Sequence, residues 1–275
     1  MPPLARAEPG SLLPRLISAI VLAPVPIAAI WFGWPWLPLL IALAAAVLAW
    51  EWSRLCRGGL LGTSGAALIA AVVAATGAAA FWGLAAGAAV AFAGAALVWI
   101  TARLCRDREP GWIAFGGLWV ALPCVLLLWL AGNESAGRVM LLWLFAVVWA
   151  TDIGAYAVGR RVGGPRLAPR WSPGKTWAGL AGGAGAAALA GWITGHVLGI
   201  APALPLVMVS TGLAVVEQFG DLAESMAKRR FGVKDSSGLI PGHGGLLDRV
   251  DGLLAVIPVV ALLTVINGGG LLSWR

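Results

Sequence analysis

Residues 220–252 form a stretch dense in acids, bases and glycines, GDLAESMAKRRFGVKDSSGLIPGHGGLLDRVDG, between two apolar segments of the chain. Only 11% of the 275 residues are charged, so this concentration is unusual. Carboxylates beside ammonium and guanidinium groups can bind a divalent cation and phosphate groups together. We therefore interpret the stretch as an active-site segment, held at a membrane surface by the rest of the chain. Its acids are Asp221, Glu224, Asp235, Asp248 and Asp251, and its bases are Lys228, Arg229, Arg230, Lys234 and Arg249.

The first part of this stretch has helical spacing. Glu217, Asp221, Glu224, Ser225 and Lys228 follow one another at intervals of three and four residues, which places them on one face of a helix. Acids stacked on one face repel each other unless a base or a cation lies among them. Hard oxygen ligands of this kind suit Mg²⁺ or Mn²⁺, which typically use one or two carboxylates together with substrate phosphates. The spacing therefore predicts a divalent-cation site.

The run IPGHGGLLDRVDG interrupts the helix before the last apolar segment. The proline and glycines of 241–245 permit a tight loop that can approach a ligand closely. Asp248 and Asp251 are three residues apart and share one helix face. Two acid-bearing helices joined by a basic loop could support in-line displacement at phosphorus. His243 could bind phosphate or move a proton, and a structural hydrogen bond in the turn is an equal alternative.

A third acid, Asp152, lies inside the apolar run 138–159. An ionisable group in a membrane span is costly and usually functional, facing the bundle interior or a wet cavity. We therefore include Asp152 among the candidate site residues, with a structural hydrogen bond between helices as the alternative.

A basic segment broken by prolines and glycines follows, and it contains Ser172, Lys175 and Thr176 directly before another apolar run. Backbone N–H groups at a helix start, together with a lysine and hydroxyls, suit a phosphate chain. The alternative is a basic loop that only contacts lipid headgroups. The segment is not a Walker motif, because Pro169 stands at the position of the first glycine and we expect no strand before it.

The elements that position these residues are membrane helices. The chain is 60% hydrophobic, with a mean hydropathy of +0.89, which exceeds what soluble domains show. We predict an all-α, polytopic integral membrane helix bundle, in which each span needs roughly 20 apolar residues. The first four spans are expected to carry no internal acid. The nine predicted spans are 16–33, 36–51, 64–82, 84–101, 112–131, 138–159, 177–199, 202–219 and 251–267.

Glycines recur at intervals of four in the seventh predicted span, where Gly179 precedes Gly183, and Gly191 precedes Gly195. Small residues at this spacing allow helices to approach each other closely. We therefore interpret most of these glycines as packing residues.

Charge between the spans predicts their orientation. With the N-terminus in the cytoplasm, all of the 19 Lys and Arg except Arg138 and Arg275 fall on the cytoplasmic side. This bias explains the net charge of +7, so we expect no nucleic-acid partner. We divide the single membrane domain into N-terminal helices (1–135) and a catalytic region with cytoplasmic active-site loops (136–275).

The acid-rich stretch resembles the phosphatidate cytidylyltransferase (CDP-diacylglycerol synthase) family. The similarity extends to WATDIGAY at 149–156 and SPGKTW at 172–177, so that it covers residues 149–252. One departure is Ala178, where the family commonly has a glutamate. The residues that carry the resemblance in the main stretch are Ser225, Lys228, Arg229, Lys234, Asp235, Ser237, Pro241, Gly242, His243, Gly244, Gly245, Asp248, Arg249 and Asp251.

The resemblance implies that CTP and phosphatidic acid give CDP-diacylglycerol and pyrophosphate, with Mg²⁺ required. It further implies a bacterial inner-membrane enzyme of phospholipid biosynthesis, surrounded by membrane lipids and compatible with a homodimer. We expect Asp221→Asn and Asp248→Asn to abolish turnover without loss of folding.

The candidate site residues are predicted to have catalytic, cation-binding or substrate-binding roles. The catalytic residues are Asp221, Asp248, Lys228 and Asp152. Asp221 and Asp248 bind the catalytic cation, and Asp152, Glu224 and Asp251 support it or a second cation. The substrate-binding residues are Ser172, Lys175, Thr176, Ser225, Arg229, Lys234, His243 and Arg249.

Three alternatives remain open from the sequence. A CTP-dependent polyprenol or lipid-alcohol kinase would transfer the terminal phosphate and release CDP. A membrane transporter would use buried acids as an ion pathway, although no inverted repeat or pair of broken helices is visible. A structural membrane scaffold would leave the spacing of the acids unexplained.

Overall fold

The computed structural model describes residues 23–132, 137–240 and 244–268, and it is almost entirely helical. The first five helices are α1 (Pro24–Phe32), α2 (Trp36–Cys56), α3 (Gly62–Trp82), α4 (Leu84–Leu104) and α5 (Pro110–Gly132). After them come α6 (Gly137–Val162), the short strands β1 (Arg166–Ala168) and β2 (Ser172–Thr176), and then α7 (Trp177–Val197), α8 (Leu204–Arg230) and α9 (Leu247–Ile266).

Seven of the described helices, α2 to α6, α8 and α9, are long and apolar enough to cross a membrane. The prediction of an all-α polytopic membrane bundle is therefore confirmed. Helix α7 has a similar length but is rich in glycine and is not among the seven. The count of nine spans and the cytoplasmic N-terminus stay predictions, and the beginning of the first predicted span, 16–22, lies outside the described residues.

Several helices extend beyond their predicted spans, and the extensions of α8 and α9 carry acids, since α9 begins at Leu247 and so includes Asp248. Helix α8 continues to Arg230, so the stripe from Glu217 to Lys228 is part of one unbroken helix, as the spacing predicted. Helix α2 continues to Cys56, which places Glu51 inside the helix, completely buried. The expectation that the first four spans carry no internal acid is therefore wrong at Glu51.

Glycines set the close approach of α7 to its neighbours. A Cβ on Gly183 would lie 3.0 Å from the carbonyl oxygen of Thr151 on α6, and a Cβ on Gly191 would lie 3.0 Å from the carbonyl oxygen of Leu206 on α8. The predicted role of these small residues in packing is confirmed. Because α7 packs between α6 and α8, it holds Asp152 on α6 beside the acid stripe of α8.

The basic segment after α6 forms an antiparallel hairpin, not the irregular loop we expected. Arg166 pairs with Thr176, and Ala168 pairs with Ser172. The expectation that no strand precedes the lysine is wrong, although Pro169 still departs from the Walker pattern. Lys175 thus projects from a strand, and Thr176 caps α7 by accepting a hydrogen bond from the Gly179 N–H at 3.0 Å.

Two buried tryptophans form hydrogen bonds between helices of the core. Trp52 on α2 is 1% exposed and donates its indole N–H to the Trp112 carbonyl on α5 at 2.8 Å. Gly116 leaves room for this ring, since a Cβ there would overlap the Trp52 indole. Trp143 on α6 donates to the Ser210 hydroxyl on α8 at 3.2 Å. The first of these contacts fixes the position of α2 and hence of Glu51, its neighbour in sequence.

Candidate active site

Asp221 on α8 lies opposite the hairpin. The ammonium of Lys175 lies 2.6 Å from the Asp221 Oδ2 atom, and the Ser225 hydroxyl donates to Oδ1 at 3.3 Å. Lys175 also reaches the Gln218 carbonyl at 3.5 Å. The hairpin and α8 therefore bring together three residues that the sequence placed in the site, from segments more than 40 residues apart.

Lys228 joins α8 to α9. Its side chain is buried between two carboxylates, with the ammonium 2.5 Å from Asp248 Oδ1 and 3.3 Å from Glu224 Oε2. A buried charge is tolerated only when it is paired and hydrogen-bonded. Lys228 meets this condition, because it hydrogen-bonds Asp248 and forms an ion pair with Glu224. The ion pairs fix the relative position of the two acid-bearing helices.

The second oxygen of Asp248 holds the loop between the helices. Asp248 Oδ2 accepts hydrogen bonds from the Ser236 N–H at 2.9 Å, the Ser236 hydroxyl at 2.8 Å and the Gly245 N–H at 2.7 Å. Together with the Lys228 ammonium on Oδ1, these donors engage both oxygens of the carboxylate. Asp248 therefore acts as an anchor for the loop.

Glu51 is a second anchor, and it comes from α2. Its Oε1 accepts from the Ser237 hydroxyl at 2.6 Å and from the Leu246 N–H at 2.9 Å. Its Oε2 accepts from the Leu247 N–H at 2.6 Å and, more weakly, from the Ser236 hydroxyl at 3.4 Å. These N–H groups lie at the start of α9, where helix donors have no partner within the helix. A buried carboxylate of the N-terminal helices thus holds both ends of the active-site loop.

The remaining carboxylates lie in two pairs around Asp221. Asp152 and Glu217 are within hydrogen-bond contact, and Asp251 lies beside Glu224, close enough for the two carboxyl groups to interact. Asp221 is close enough to Asp152 and Asp251 to interact electrostatically with each. Carboxyl groups this close repel unless a proton or a cation lies between them.

The carboxylates of the site outnumber the basic side chains beside them. Gln218 donates to Glu217 at 2.8 Å. Both oxygens of Glu224 are buried without a hydrogen-bond donor among the described residues, and the nearby Lys228 ammonium supplies their positive charge. The carboxylates Asp152, Glu217, Asp221, Glu224, Asp248 and Asp251 outnumber the bases Lys175, Lys228 and Arg249 that lie among them.

The carboxylates do not form a metal cage from protein ligands alone. Within the described ranges, no group of three or more His, Cys, Asp or Glu side chains is arranged to hold a metal ion. This arrangement does not contradict a Mg²⁺ site, because Mg²⁺ is usually bound through one or two carboxylates, with waters and substrate phosphates completing its ligands. The metal roles predicted for Asp221, Asp248, Glu224 and Asp251 stay predictions.

Other predicted residues lie at the rim of the site. Arg249 on α9 interacts with Asp152. Arg229 is exposed and donates to the carbonyls of Trp171 at 3.4 Å and Val233 at 3.0 Å, so it links the hairpin to the loop after α8. Lys234 is exposed, and it makes no hydrogen bond or ion pair with any residue that the structure describes.

Three of the predicted substrate-binding residues, Ser172, Thr176 and His243, gain no support from the structure. Thr176 is buried, and its hydroxyl already serves as the helix cap, while Ser172 begins strand β2. His243 lies outside the described residues. The substrate roles of all three stay predictions.

Sequence reasoning missed Glu51 and Ser236, and it placed Glu217 on the acid stripe without giving that residue a role of its own. Glu51 is an acid next to Trp50 and Trp52 at the end of an apolar run, and that position was the one signal that could have identified it. Ser236 stands between Asp235 and Ser237, which carry the family resemblance, but nothing in its type distinguishes it from a loop serine.

Comparison with known proteins agrees with these motifs. The chain matches the family described as "Cytidylyltransferase family" over residues 13–267. A protein of Pseudomonas aeruginosa named phosphatidate cytidylyltransferase is 38% identical over 270 residues, which is 93% of this chain and 98% of that protein.

Two further relatives carry the same name and match over a shorter region. The relative from Brucella suis is 47% identical over 152 residues, 55% of this chain, and the one from Bacillus subtilis is 36% identical over 156 residues, 56% of this chain. The matched region spans 56% of the Brucella protein and 58% of the Bacillus protein.

Proposed function

The chain belongs to the cytidylyltransferase family, and on that premise we propose that it transfers the cytidylyl group of CTP to phosphatidic acid, giving CDP-diacylglycerol and pyrophosphate. The proposal rests on two lysine–carboxylate contacts, Lys175 with Asp221 and Lys228 with Asp248. Both contacts belong to one group of acids on membrane helices. Such a site can hold polyphosphate at a position that a membrane lipid can reach. The name of the Pseudomonas aeruginosa relative, which aligns over almost the whole chain, supports the same activity.

In the reaction, an oxygen of the lipid phosphate attacks the α-phosphorus of CTP. A new P–O bond forms, the bond from the α-phosphorus to the bridging oxygen breaks, and pyrophosphate leaves with the electron pair. The lipid phosphate is already an anionic nucleophile, so the site does not require a strong general base. The task of the protein is to position the reacting groups and to offset charge.

Lys175 is suited to the offset of charge, because its partner at the site, Asp221, is only partly buried and can give way to a phosphate. We propose that Lys175, with Ser225 nearby, binds phosphate oxygens in exchange for part of its contact with Asp221. Arg229, Lys234 and Arg249 add positive charge at the rim. Lys228 is more deeply buried, and we propose that it mainly holds α8 and α9 in register.

The acids fit a bound Mg²⁺ ion, because they outnumber the nearby bases and because the buried oxygens of Glu224 lack a hydrogen-bond donor among the described residues. We propose that Asp221 holds the ion, with Asp152, Glu217, Glu224 and Asp251 around it, and a second cation is compatible with this set. When bound, Mg²⁺ supplies charge that offsets the phosphate oxygens. Asp248 stays a predicted ligand, although one of its oxygens is engaged by the loop and the other by Lys228.

We further propose that the enzyme lies in the bacterial inner membrane with the site on the cytoplasmic side, where CTP is available. The basic residues of the hairpin and of the loop after α8 agree with this orientation. Membrane lipids would surround the helices, whose outward surfaces carry large exposed apolar side chains. A homodimer stays a prediction.

The test uses purified full-length protein in detergent with phosphatidic acid, Mg²⁺, and CTP labelled separately at the α and γ phosphates. We expect the α label to enter lipid and pyrophosphate to appear. Entry of the γ label into lipid, with release of CDP, would instead identify a lipid kinase. Transfer of neither label to phosphatidic acid would overturn the proposal.

A further inference from the structure

A cavity of about 440 Å³ lies next to the site, between the end of α2 and the loop after α8. Its walls include Trp50, Arg54 and Gly58 on one side and Asp235, Ser236 and Gly238 on the other. This volume is within the range of small-molecule sites, roughly 300–1,000 Å³. Neither Arg54 nor Asp235 belongs to the cluster of carboxylates and lysines around Asp221, so the cavity is a separate space beside that cluster.

The cavity carries two opposite charges that do not pair with each other. The Arg54 guanidinium lies over the Trp50 ring, 4.8 Å from its centroid, and is exposed. The Asp235 carboxylate is also exposed, and among the described residues it takes part in no hydrogen bond or ion pair. A donor group and an acceptor group therefore face the same space without satisfying each other.

The cavity is joined directly to the anchors of the site. Ser236 lines the cavity, and both its N–H and its hydroxyl donate to Asp248, which in turn contacts Lys228. Trp50 and Glu51 are adjacent on α2, so one wall of the cavity and the buried anchor belong to the same helix. A ligand in the cavity would thus lie in a fixed relation to Asp248 and Lys228.

We propose that this cavity holds the nucleobase of the cytidine nucleotide and selects cytosine over uracil. The proposal rests on the proposed function for the identity of the substrate. Cytosine presents an amino donor beside ring acceptors, and carboxylates characteristically accept from that amino group. Asp235 accepts from the amino group, and Arg54 donates to the ring acceptors or stacks on the base.

Uracil would present a carbonyl oxygen to Asp235 in place of the amino group. Two acceptors would then oppose each other, and repulsion at this contact would reject the wrong base. The flat guanidinium of Arg54, which lies over the Trp50 ring, forms one wall of the cavity, on which the base can stack. The cavity therefore accounts for both binding and discrimination with residues that the catalytic carboxylates do not use.

The test compares Asp235→Asn and Arg54→Gln with the wild type and with Glu109→Gln, a surface acid outside the cavity whose partner is Arg230. Binding of labelled CTP to the full-length protein is measured at equilibrium without lipid, with unlabelled UTP as competitor. We expect Asp235→Asn to reduce the preference for CTP over UTP by at least about tenfold. We expect Arg54→Gln to weaken CTP binding by a similar factor, and Glu109→Gln to behave like the wild type.

Turnover measured in parallel distinguishes this proposal from the proposed function. If the wild type binds CTP selectively and Asp235→Asn loses that preference, but no α label enters lipid, the cavity proposal stands and the proposed function fails. If Asp235→Asn keeps the wild-type preference for CTP, the cavity is not the base site. If Asp235→Asn lowers turnover with unchanged selectivity, Asp235 acts on the loop alone, which also overturns the proposal.

Discussion

The carboxylate of Glu51 on α2 accepts a hydrogen bond of 2.6 Å from the backbone N–H of Leu247, the first residue of α9 and 196 residues later in the chain. The same carboxylate accepts from Leu246 and Ser237, so one buried side chain holds the loop that carries the site. Since Asp248 follows Leu247 directly, the position of that acid depends on a helix from the other half of the protein.

We predict that Glu51→Gln lowers both stability and turnover. An amide keeps one acceptor oxygen but turns an NH₂ group toward N–H donors that the carboxylate now satisfies, and each buried donor without a partner costs about 1–3 kcal/mol. A shift of the loop by about 1 Å can reduce turnover by roughly a hundredfold. Thermal unfolding in detergent and transfer of the α label from CTP measure the two effects.

The matched control for this variant is Glu109→Gln, which removes the same charge at the protein surface. We expect it to leave the unfolding temperature and the turnover close to those of the wild type, because surface ion pairs contribute only about 0–1 kcal/mol. Equal behaviour of the two glutamine variants would show that Glu51 does not position the loop.

Asp221 and Asp248 give a second prediction, in which two identical substitutions have different effects. Asp221→Asn should reduce turnover by at least about a hundredfold, as loss of one charge-stabilising group in an active site does. Its unfolding temperature should stay near the wild-type value, because Asp221 is partly exposed and its contact with Lys175 is at the edge of the bundle.

Asp248→Asn should lose turnover and stability together, since the amide cannot accept from Lys228, Ser236 and Gly245 at once. This expectation differs from the one drawn from the sequence, in which both variants fold normally. Turnover is measured by label transfer and stability by thermal unfolding in the same detergent. A normal unfolding temperature for Asp248→Asn would contradict its role as the anchor of the loop.

The stripe of acids on α8 could be predicted because helical spacing is a local property. Glu217, Asp221, Glu224 and Lys228 share a face whatever surrounds the helix, and the structure confirms one continuous helix there. The acids at the start of α9 could be predicted because the glycine-rich loop before them marks the beginning of a new helix. The membrane setting followed from composition, since apolar runs of about 20 residues are typical of membrane spans and rare in soluble proteins.

The contacts between distant elements could not be predicted in this way. The sequence places Lys175 before an apolar run, but its contact with Asp221 depends on the hairpin and on the packing of α7 against α8. Glu51 is a single acid near the end of an apolar run, and its partners include backbone N–H groups that no residue type reveals. The pairing of Asp152 with Glu217 depends on glycines that bring helices together, and their effect is clear only in three dimensions.

Lys228 gives a third prediction, on stability. Lys228→Met removes the positive charge between Glu224 and Asp248, and breaking a buried ion pair by removing one partner costs about 3–5 kcal/mol. The unfolding temperature in detergent should therefore fall clearly. Adding Glu224→Gln should recover part of the loss, because the neutral side chain no longer needs the ammonium. A double variant as unstable as Lys228→Met would show that Glu224 and Lys228 are not coupled.

Gly252 gives a final prediction, which concerns the approach of α9 to α8. A Cβ at Gly252 would lie 2.6 Å from the Cγ atom of Glu217, so Gly252→Ala must push the two acid-bearing helices apart or turn Glu217 away from Asp152. Overpacking of this kind costs about 1–3 kcal/mol, although alanine is itself the better helix former. We expect turnover to fall by at least about tenfold, because small displacements of reacting groups have large effects.

Gly212→Ala, on the same helix as Glu217, is the matched control, because a Cβ there meets nothing within 4 Å. It should keep full turnover and unfold at the same or a slightly higher temperature, since the gain in helix propensity is not offset by a clash. Label transfer and thermal unfolding in detergent compare the two variants under the same conditions. If Gly252→Ala is as active as Gly212→Ala, the close contact between α9 and Glu217 is not needed to hold the carboxylates in their working positions.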